Sequence, residues 1–95
     1  MTFSLLFTDE ASRNLDALQK HPEKLRRVRK YLAMLEQNPQ YPGLRSHKYS
    51  SKKGPADQEV WESYVENNTP AAWRVFWCYG PEKSEITIIA ITPHP

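Results

Sequence analysis

The spacing of apolar residues changes about halfway along this chain, and the change limits the folds that it can adopt. Between residues 9 and 37, apolar side chains recur three or four positions apart, which is the spacing of helices with one buried face. Beyond residue 60, apolar and polar residues alternate in shorter runs, as they do in β-strands. The pattern predicts an α+β fold in which helices cover one face of a sheet.

Signals for helix ends divide the first part of the chain into two helices. Thr8 offers a side-chain oxygen to cap a helix that begins at the next residue. Pro22 can open a second helix at its first position, and Asn38-Pro39 stops it. We therefore predict a helical hairpin formed by residues 9–20 and 22–37. The residues expected to pack together are Leu15, Leu18, Leu25, Val28, Leu32 and Leu35 on the helices and Trp73, Val75 and Trp77 on the sheet.

Strands are predicted on either side of the hairpin, in the order β-α-α-β-β-β. The predicted strands are residues 3–7, 61–66, 72–79 and 86–92. Residues 44–49 suit a further short strand, followed by a flexible loop over residues 50–58. The prediction is one domain spanning residues 1–95, with the helical hairpin packed on one face of an antiparallel sheet.

Composition sets broad limits on function. No stretch approaches the roughly 20 apolar residues that a membrane helix needs. No leader opens the sequence, so we expect a soluble, cytoplasmic protein without membrane contact. The single Cys78 allows no intrachain disulfide and is expected to be a small buried residue. Because the three histidines are scattered along the chain, we expect neither a metal site nor a cofactor.

Positive charge is concentrated in two stretches of the sequence. Residues 45–53 contain no acid and five basic or titratable residues, which are Arg45, His47, Lys48, Lys52 and Lys53. Residues 22–31 carry five basic residues and one acid. The two stretches suit a polyanion such as a nucleic acid, although the helical one is more typical of an ordinary solvated helix face.

Arg74 is the most informative single residue. It projects from a predicted strand onto the face away from Trp73 and Val75. A guanidinium on a rigid strand offers two parallel donors to a phosphate. The alternative is a structural ion pair with Glu62 or Glu66 on the adjacent strand, and the sequence alone leaves both open.

Three further residues carry groups suited to proton transfer or phosphate contact. His94 stands between two prolines, which restrict its backbone, and an imidazole exchanges protons near neutral pH. The alternative is a terminal residue that frays or pairs with the C-terminal carboxylate. Glu62 and Tyr64 share one face of a predicted strand, either as a base and a phosphate contact or as polar residues that face water.

Short motifs along the chain stand in an order that a known family shares. They are Thr8-Asp9-Glu10-Ala11, Asn38-Pro39, Gly43-Leu44-Arg45-Ser46-His47-Lys48, Trp73-Arg74-Val75-Phe76-Trp77 and Ile91-Thr92-Pro93-His94. Together with the order of elements, they resemble the RelE/ParE superfamily of toxins from type II toxin–antitoxin systems. The resemblance covers nearly the whole chain, and the terminal histidine is more similar to the RelE and YoeB ribonucleases than to the ParE group.

The resemblance implies a ribosome-dependent messenger RNA endonuclease that needs no metal. The ribose 2′-hydroxyl attacks the adjacent phosphate, Arg74 stabilises the charge on that phosphate, and His94 protonates the leaving oxygen. His47 and Glu62 are the candidates for the general base. The residues expected to hold RNA are Arg45, Lys48, Lys52, Lys53 and Tyr64.

The resemblance also implies partners. They are a small cognate antitoxin, the ribosome and messenger RNA. Two alternative functions stay open at this point: a ParE-like inhibitor of DNA gyrase, and a non-toxic interaction module of the same fold.

Overall fold

The computed structural model describes residues 2–66 and 72–93. The helices in these residues are α1 (Asp9–Ala17) and α2 (Pro22–Gln37). The strands are β1 (Ser4–Phe7), β2 (His47–Lys53), β3 (Glu59–Tyr64), β4 (Trp73–Tyr79) and β5 (Glu85–Pro93). The predicted α+β class and the helical hairpin are confirmed, with a short 3₁₀ helix over Leu18–Lys20 between the two α-helices.

The strands form one sheet in the order β1-β5-β4-β3-β2. The three pairs β2–β3, β3–β4 and β4–β5 are antiparallel, as predicted. The prediction of a wholly antiparallel sheet is wrong for one pair, because β1 runs parallel to β5. Parallel neighbours need a long crossover connection rather than a turn, and here the helical hairpin and three strands separate the pair along the chain.

The edge strand β2 begins and ends later than predicted, at His47 rather than Leu44 and at Lys53 rather than Tyr49. The prediction of a strand is wrong for residues 44–46, since Leu44 ends a short 3₁₀ helix, Pro42–Leu44. The expectation of a flexible loop from Ser50 is wrong for residues 50–53, which continue the strand. These residues are polar and exposed, so no alternation of apolar side chains marked them as a strand. The pairing of β2 with β3 is irregular between Lys48 and Lys53.

The main core lies between the helical hairpin and the sheet. Its fully buried members include Leu18, Val28, Leu35, Val75 and Trp77, with Leu15 and Trp73 partly buried against them. The predicted packing of the hairpin is therefore confirmed. We call the sheet face that bears Trp61 and Trp77 the helix face, because the helices pack on part of it.

The opposite sheet face carries a smaller apolar cluster of Val60, Phe76 and Ala90. We call this side, which also bears Glu62, the open face. Cys78 is buried, as predicted. Neither helix in the described residues combines the length and apolar character that crossing a membrane requires.

Part of the basic stretch on α2 has a structural partner. Lys24 and Arg27 both bind the Glu66 carboxylate just beyond β3, at N–O distances of 3.0 and 2.8 Å. Burial acts to raise the pKa of Glu66, but hydrogen bonds from Lys24 and from the Trp73 N–H outweigh it and hold that pKa below its ordinary value. These contacts therefore stabilise the fold above the ordinary carboxyl pKa and are lost as the pH falls through the lowered one.

Thr8 ties the start of α1 to the sheet. Its hydroxyl accepts from the Ala11 N–H at 3.1 Å and donates to the Ile89 carbonyl at 2.6 Å. We expect Thr8→Ala to lower the free energy of unfolding by about 1–2 kcal/mol, the usual cost of losing an N-cap. Urea unfolding measures it, with Ser12→Ala on the exposed side of α1 as the control. Equal midpoints for the two variants would contradict this role.

Candidate active site on the open face

A buried carboxylate on β3 joins two other candidate catalytic residues. Glu62 is only 3% exposed. Its Oε1 lies 2.7 Å from His47 Nε2 on β2, and its Oε2 accepts from Arg74 Nη1 on β4 at 2.6 Å. We call these residues the His47–Glu62–Arg74 cluster. The interpretation of Glu62 as a residue that faces water is wrong.

Strand pairing explains why these residues meet. His47 stands opposite Glu62 in the pairing of β2 with β3. Arg74 stands opposite Tyr64, two residues along β3, so it lies diagonally across from Glu62. The alternation of side chains along each strand then turns all of them toward the open face. The sequence named the three catalytic candidates separately, and the fold places them in one contact network.

Arg74 is held firmly. Its side chain is 13% exposed, and its guanidinium carbon lies 4.7 Å from the centre of the Phe76 ring. The structural ion pair with Glu62, one of the two sequence alternatives, is thus present. Within the described residues, the buried Nε of Arg74 has no hydrogen-bond partner, so the guanidinium keeps donor capacity beyond its contact with Glu62.

His47 is the accessible member of the cluster, since about half of its side chain (52%) is exposed. Its Nδ1 lies 3.3 Å from the Arg45 carbonyl oxygen, and its ring centre lies 6.1 Å from that of Tyr64. Glu62 and the carbonyl are both acceptors, so both contacts are made together only when each ring nitrogen carries a proton. A neutral ring can keep the Glu62 contact and leave Nδ1 as an acceptor.

The predicted RNA-binding lysines do not lie on one face. Lys52 lies over the Phe76 ring, with Nζ 5.4 Å from its centre, and so belongs to the open face. Lys48 stands opposite Trp61 with Nζ 5.9 Å from that ring, and Lys53 stands opposite Glu59. These two lysines therefore project toward the helix face. Adjacent residues of a strand face opposite sides, which divides Lys52 from Lys53. The irregular pairing within β2 places Lys53, rather than Lys52, on the same side as Lys48.

Two aromatic residues, Phe76 and Tyr49, lie beneath the charged side chains of Arg74 and Lys52 on the open face. Phe76 lies under both Arg74 and Lys52, and the Tyr49 ring centre is 4.9 Å from it. The sequence signal for Phe76 was its position two residues after Arg74 on the same strand face. Tyr49 gave no such signal, because β2 lacks a regular pattern.

The predicted proton donor His94 lies outside the described residues. Within residues 2–66 and 72–93, His, Cys, Asp and Glu side chains form no group of three or more that could hold a metal ion.

The fold is similar to those of a YoeB/ParE toxin and of chains from the RelE–RelB complex and the DinJ–YafQ toxin–antitoxin complex. A chain of the archaeal RelE–RelB complex from Pyrococcus horikoshii OT3 matches 98% of this chain and 96% of its own length, with a TM-score of 0.70 and 18% identity. The YoeB/ParE toxin from Agrobacterium tumefaciens matches 98% and 100%, with a TM-score of 0.72 and 11% identity. A chain of the DinJ–YafQ toxin–antitoxin complex from E. coli matches 99% and 94%, with a TM-score of 0.70 and 14% identity.

These likenesses confirm the predicted RelE/ParE-type fold. No protein-family model matches the sequence, and no curated protein does. At 11% to 18% identity, the similarity concerns the course of the backbone rather than individual side chains.

Proposed function

We propose that this protein is a RelE-like toxin that cuts messenger RNA on the ribosome without a metal. The observation that carries the proposal is the Glu62 carboxylate, nearly excluded from water yet shared by an accessible histidine and an arginine. A buried ion pair is weak evidence for stability alone. A candidate base hydrogen-bonded to an orienting carboxylate, with an arginine on the same carboxylate, is the mutual geometry expected of an active site. The toxin-type fold supports the same function.

His47 is the general base in this proposal. Its Nδ1 accepts the proton of a ribose 2′-hydroxyl, while Nε2 donates to Glu62 at 2.7 Å. The resulting imidazolium lies beside a carboxylate that stabilises its charge. Glu62 is then a positioning residue, since its own oxygens face His47 and Arg74 rather than the solvent.

Arg74 stabilises the charge that develops on the phosphate. The 2′-oxygen forms a bond to phosphorus while the bond from phosphorus to the 5′-oxygen breaks. Negative charge grows on the remaining phosphate oxygens, and a guanidinium already fixed in place meets it without reorganising. Glu62 and the Phe76 ring supply that fixation.

His94 supplies the proton that the leaving 5′-oxygen takes up. The products are one RNA end with a 2′,3′-cyclic phosphate and another with a 5′-hydroxyl. We further propose a small antitoxin as the protein partner, as in the RelE–RelB and DinJ–YafQ complexes. Ribosomes and messenger RNA as partners place the activity in the cytoplasm.

The direct test is cleavage by the purified chain. Ribosomes programmed with a defined messenger RNA are incubated with wild-type protein, and the RNA ends are analysed. We expect cuts that leave cyclic phosphates and that need the ribosome. A folded wild-type chain that makes no cuts refutes the proposal. Inhibition of DNA gyrase in a parallel assay then indicates the ParE-like alternative, and no effect in either assay indicates the interaction module.

Lys52 and Lys53 allow a matched test of where RNA lies. They are adjacent, but only Lys52 lies over Phe76 on the open face. We expect Lys52→Gln to weaken binding of an RNA oligonucleotide and to lower its salt slope by about 0.7, as the loss of one phosphate contact to a single strand does. Lys53→Gln should leave the slope nearly unchanged. Equal effects of the two substitutions would place RNA elsewhere.

A further inference from the structure

A second concave surface lies on the helix face, away from the His47–Glu62–Arg74 cluster. It is a groove of about 330 Å³ between the segment that follows α2 and the strands β3 and β4. The groove is lined by Pro39, Gln40, Tyr41, Pro42, Arg45, Ser46, Trp61, Trp77 and Tyr79. Trp77 joins the groove to the main core, and the proposed reaction uses none of the groove's side chains.

Aromatic rings form much of the groove. Trp61 and Trp77 stack with their centres 6.0 Å apart and 20° between their planes, and Tyr79 meets Trp77 edge-on at 5.1 Å. Tyr41 and Tyr79 are 49% and 37% exposed, which places them among the exposed large apolar residues of the described chain. Trp77 is itself buried, so the partly exposed rings of Tyr41 and Tyr79 are the ones that a planar ligand such as a base can stack on.

Close packing against Gly43 sets the position of the Tyr41 ring. A Cβ on Gly43 would lie 2.5 Å from the Tyr41 ring, so the ring packs where only glycine leaves room. The ring therefore packs closely against Gly43 while about half of the Tyr41 side chain stays exposed.

The charge of the groove favours an anionic ligand. Arg45 lines it, Lys48 lies over the Trp61 ring at its margin, and no acidic residue is among the lining side chains that the structure describes. The ion pair of Lys48 with Glu59 at 3.3 Å is exposed on both sides, so it neutralises the lysine only weakly. Aromatic platforms beside cations are the arrangement that binds single-stranded nucleic acid.

We propose that this groove binds a nucleobase of single-stranded RNA, with Arg45 contacting the adjoining phosphate. The choice of RNA as the ligand rests on the proposed function. The protein then grips RNA on two faces: the open face for the reaction and the helix face for a second strand segment. In this arrangement Lys52 serves the open face and Arg45 the groove, whereas Lys53 lines neither.

The test uses RNA that cannot be cut. A 2′-O-methyl oligoribonucleotide of about six residues, near the length that one single-strand site covers, is titrated into the full chain while tryptophan fluorescence is followed. We expect quenching in the wild type. Tyr41→Ala should weaken binding roughly 5- to 150-fold, the loss that one stacked base produces. Gly43→Ala, which displaces the Tyr41 ring without removing it, should weaken binding in the same direction.

Matched controls separate the groove from general attraction to the surface. Phe7→Ala removes another exposed aromatic ring, and Arg29→Gln removes another exposed arginine, both outside the groove. Arg45→Gln should lower the salt slope by about 0.7, whereas Arg29→Gln should not. Equal losses in the groove variants and the controls overturn the proposal.

Two other outcomes also overturn it. One is affinity for RNA that Tyr41→Ala and Gly43→Ala leave unchanged. The other is loss of antitoxin binding, rather than RNA binding, in the same variants, which would make the groove a protein-docking surface. Because the oligonucleotide cannot be cleaved, a chain without ribonuclease activity can still pass this test, so the two proposals fail separately.

Discussion

Replacing His47 with glutamine should slow the proposed messenger RNA cleavage by roughly 10²- to 10⁴-fold, the usual contribution of a general base. Glutamine retains a group that can hydrogen-bond to Glu62, but it cannot take up a proton near neutral pH. Binding to ribosomes should therefore change little while the single-turnover cleavage rate falls. The variant should also lose one limb of the pH–rate profile, which a purely structural defect would leave in place.

His21→Gln is the matched control for this prediction. His21 is exposed at the start of α2, and its side chain makes no capping hydrogen bond there. It should cut at the wild-type rate. His94→Gln tests the proposed acid and should show a loss of similar size with the opposite limb affected. A His47→Gln variant that cuts as fast as the His21 control would remove His47 from the mechanism and leave Glu62 as the candidate base.

Glu62→Ala should lower the free energy of unfolding by about 3–5 kcal/mol, because it leaves the Arg74 charge buried without its partner. The side chain of Arg74 is 13% exposed, so water compensates it poorly. Urea denaturation of the purified variants measures the effect. The expected loss for Glu62→Ala is a large share of the 5–15 kcal/mol that separates the folded and unfolded states of a typical domain.

Glu59→Ala is the control for Glu62→Ala. Glu59 lies on the same strand and pairs with Lys48, but both side chains are more than half exposed. Its loss should cost about 0–1 kcal/mol. Replacing Glu62 and Arg74 together with leucine should recover much of the stability, since no unpaired charge remains. A Glu62→Ala variant as stable as Glu59→Ala would show that Arg74 does not depend on this contact.

The helices could be predicted closely because their signals are local. The Thr8 cap, the Pro22 start and the apolar spacing each act within a few residues. The observed bounds of α2, Pro22–Gln37, coincide with the prediction. The strand β4 was also clear, since alternating large side chains mark its two faces.

Features that depend on distant pairing could not be predicted in the same way. The direction of β1 is fixed by β5, about 80 residues later, and no local pattern records it. The irregular register between Lys48 and Lys53 decides which face each lysine occupies. A slip of one residue moves a side chain to the other face, so the basic stretch could be found in the sequence but not assigned to a surface.

The candidate site could be predicted only in part from the sequence. The residue types suggested Arg74, Glu62 and His47 individually, because each can carry or exchange charge. Their contact depends on the pairing of β2, β3 and β4, which the sequence did not specify. Burial of Glu62 reverses one sequence-based interpretation, because an acid in an alternating polar position normally faces water.

The central claim is that the His47–Glu62–Arg74 cluster acts on messenger RNA. The most direct test is induced expression in bacteria followed by mapping of messenger RNA ends, for wild type and Arg74→Lys. Lysine keeps the charge but loses the planar pair of donors. We expect growth arrest and cuts at the ribosomal A site with the wild type, and loss of both with a folded Arg74→Lys chain. Cuts that persist in the variant, or a folded wild type that makes none, would contradict the claim.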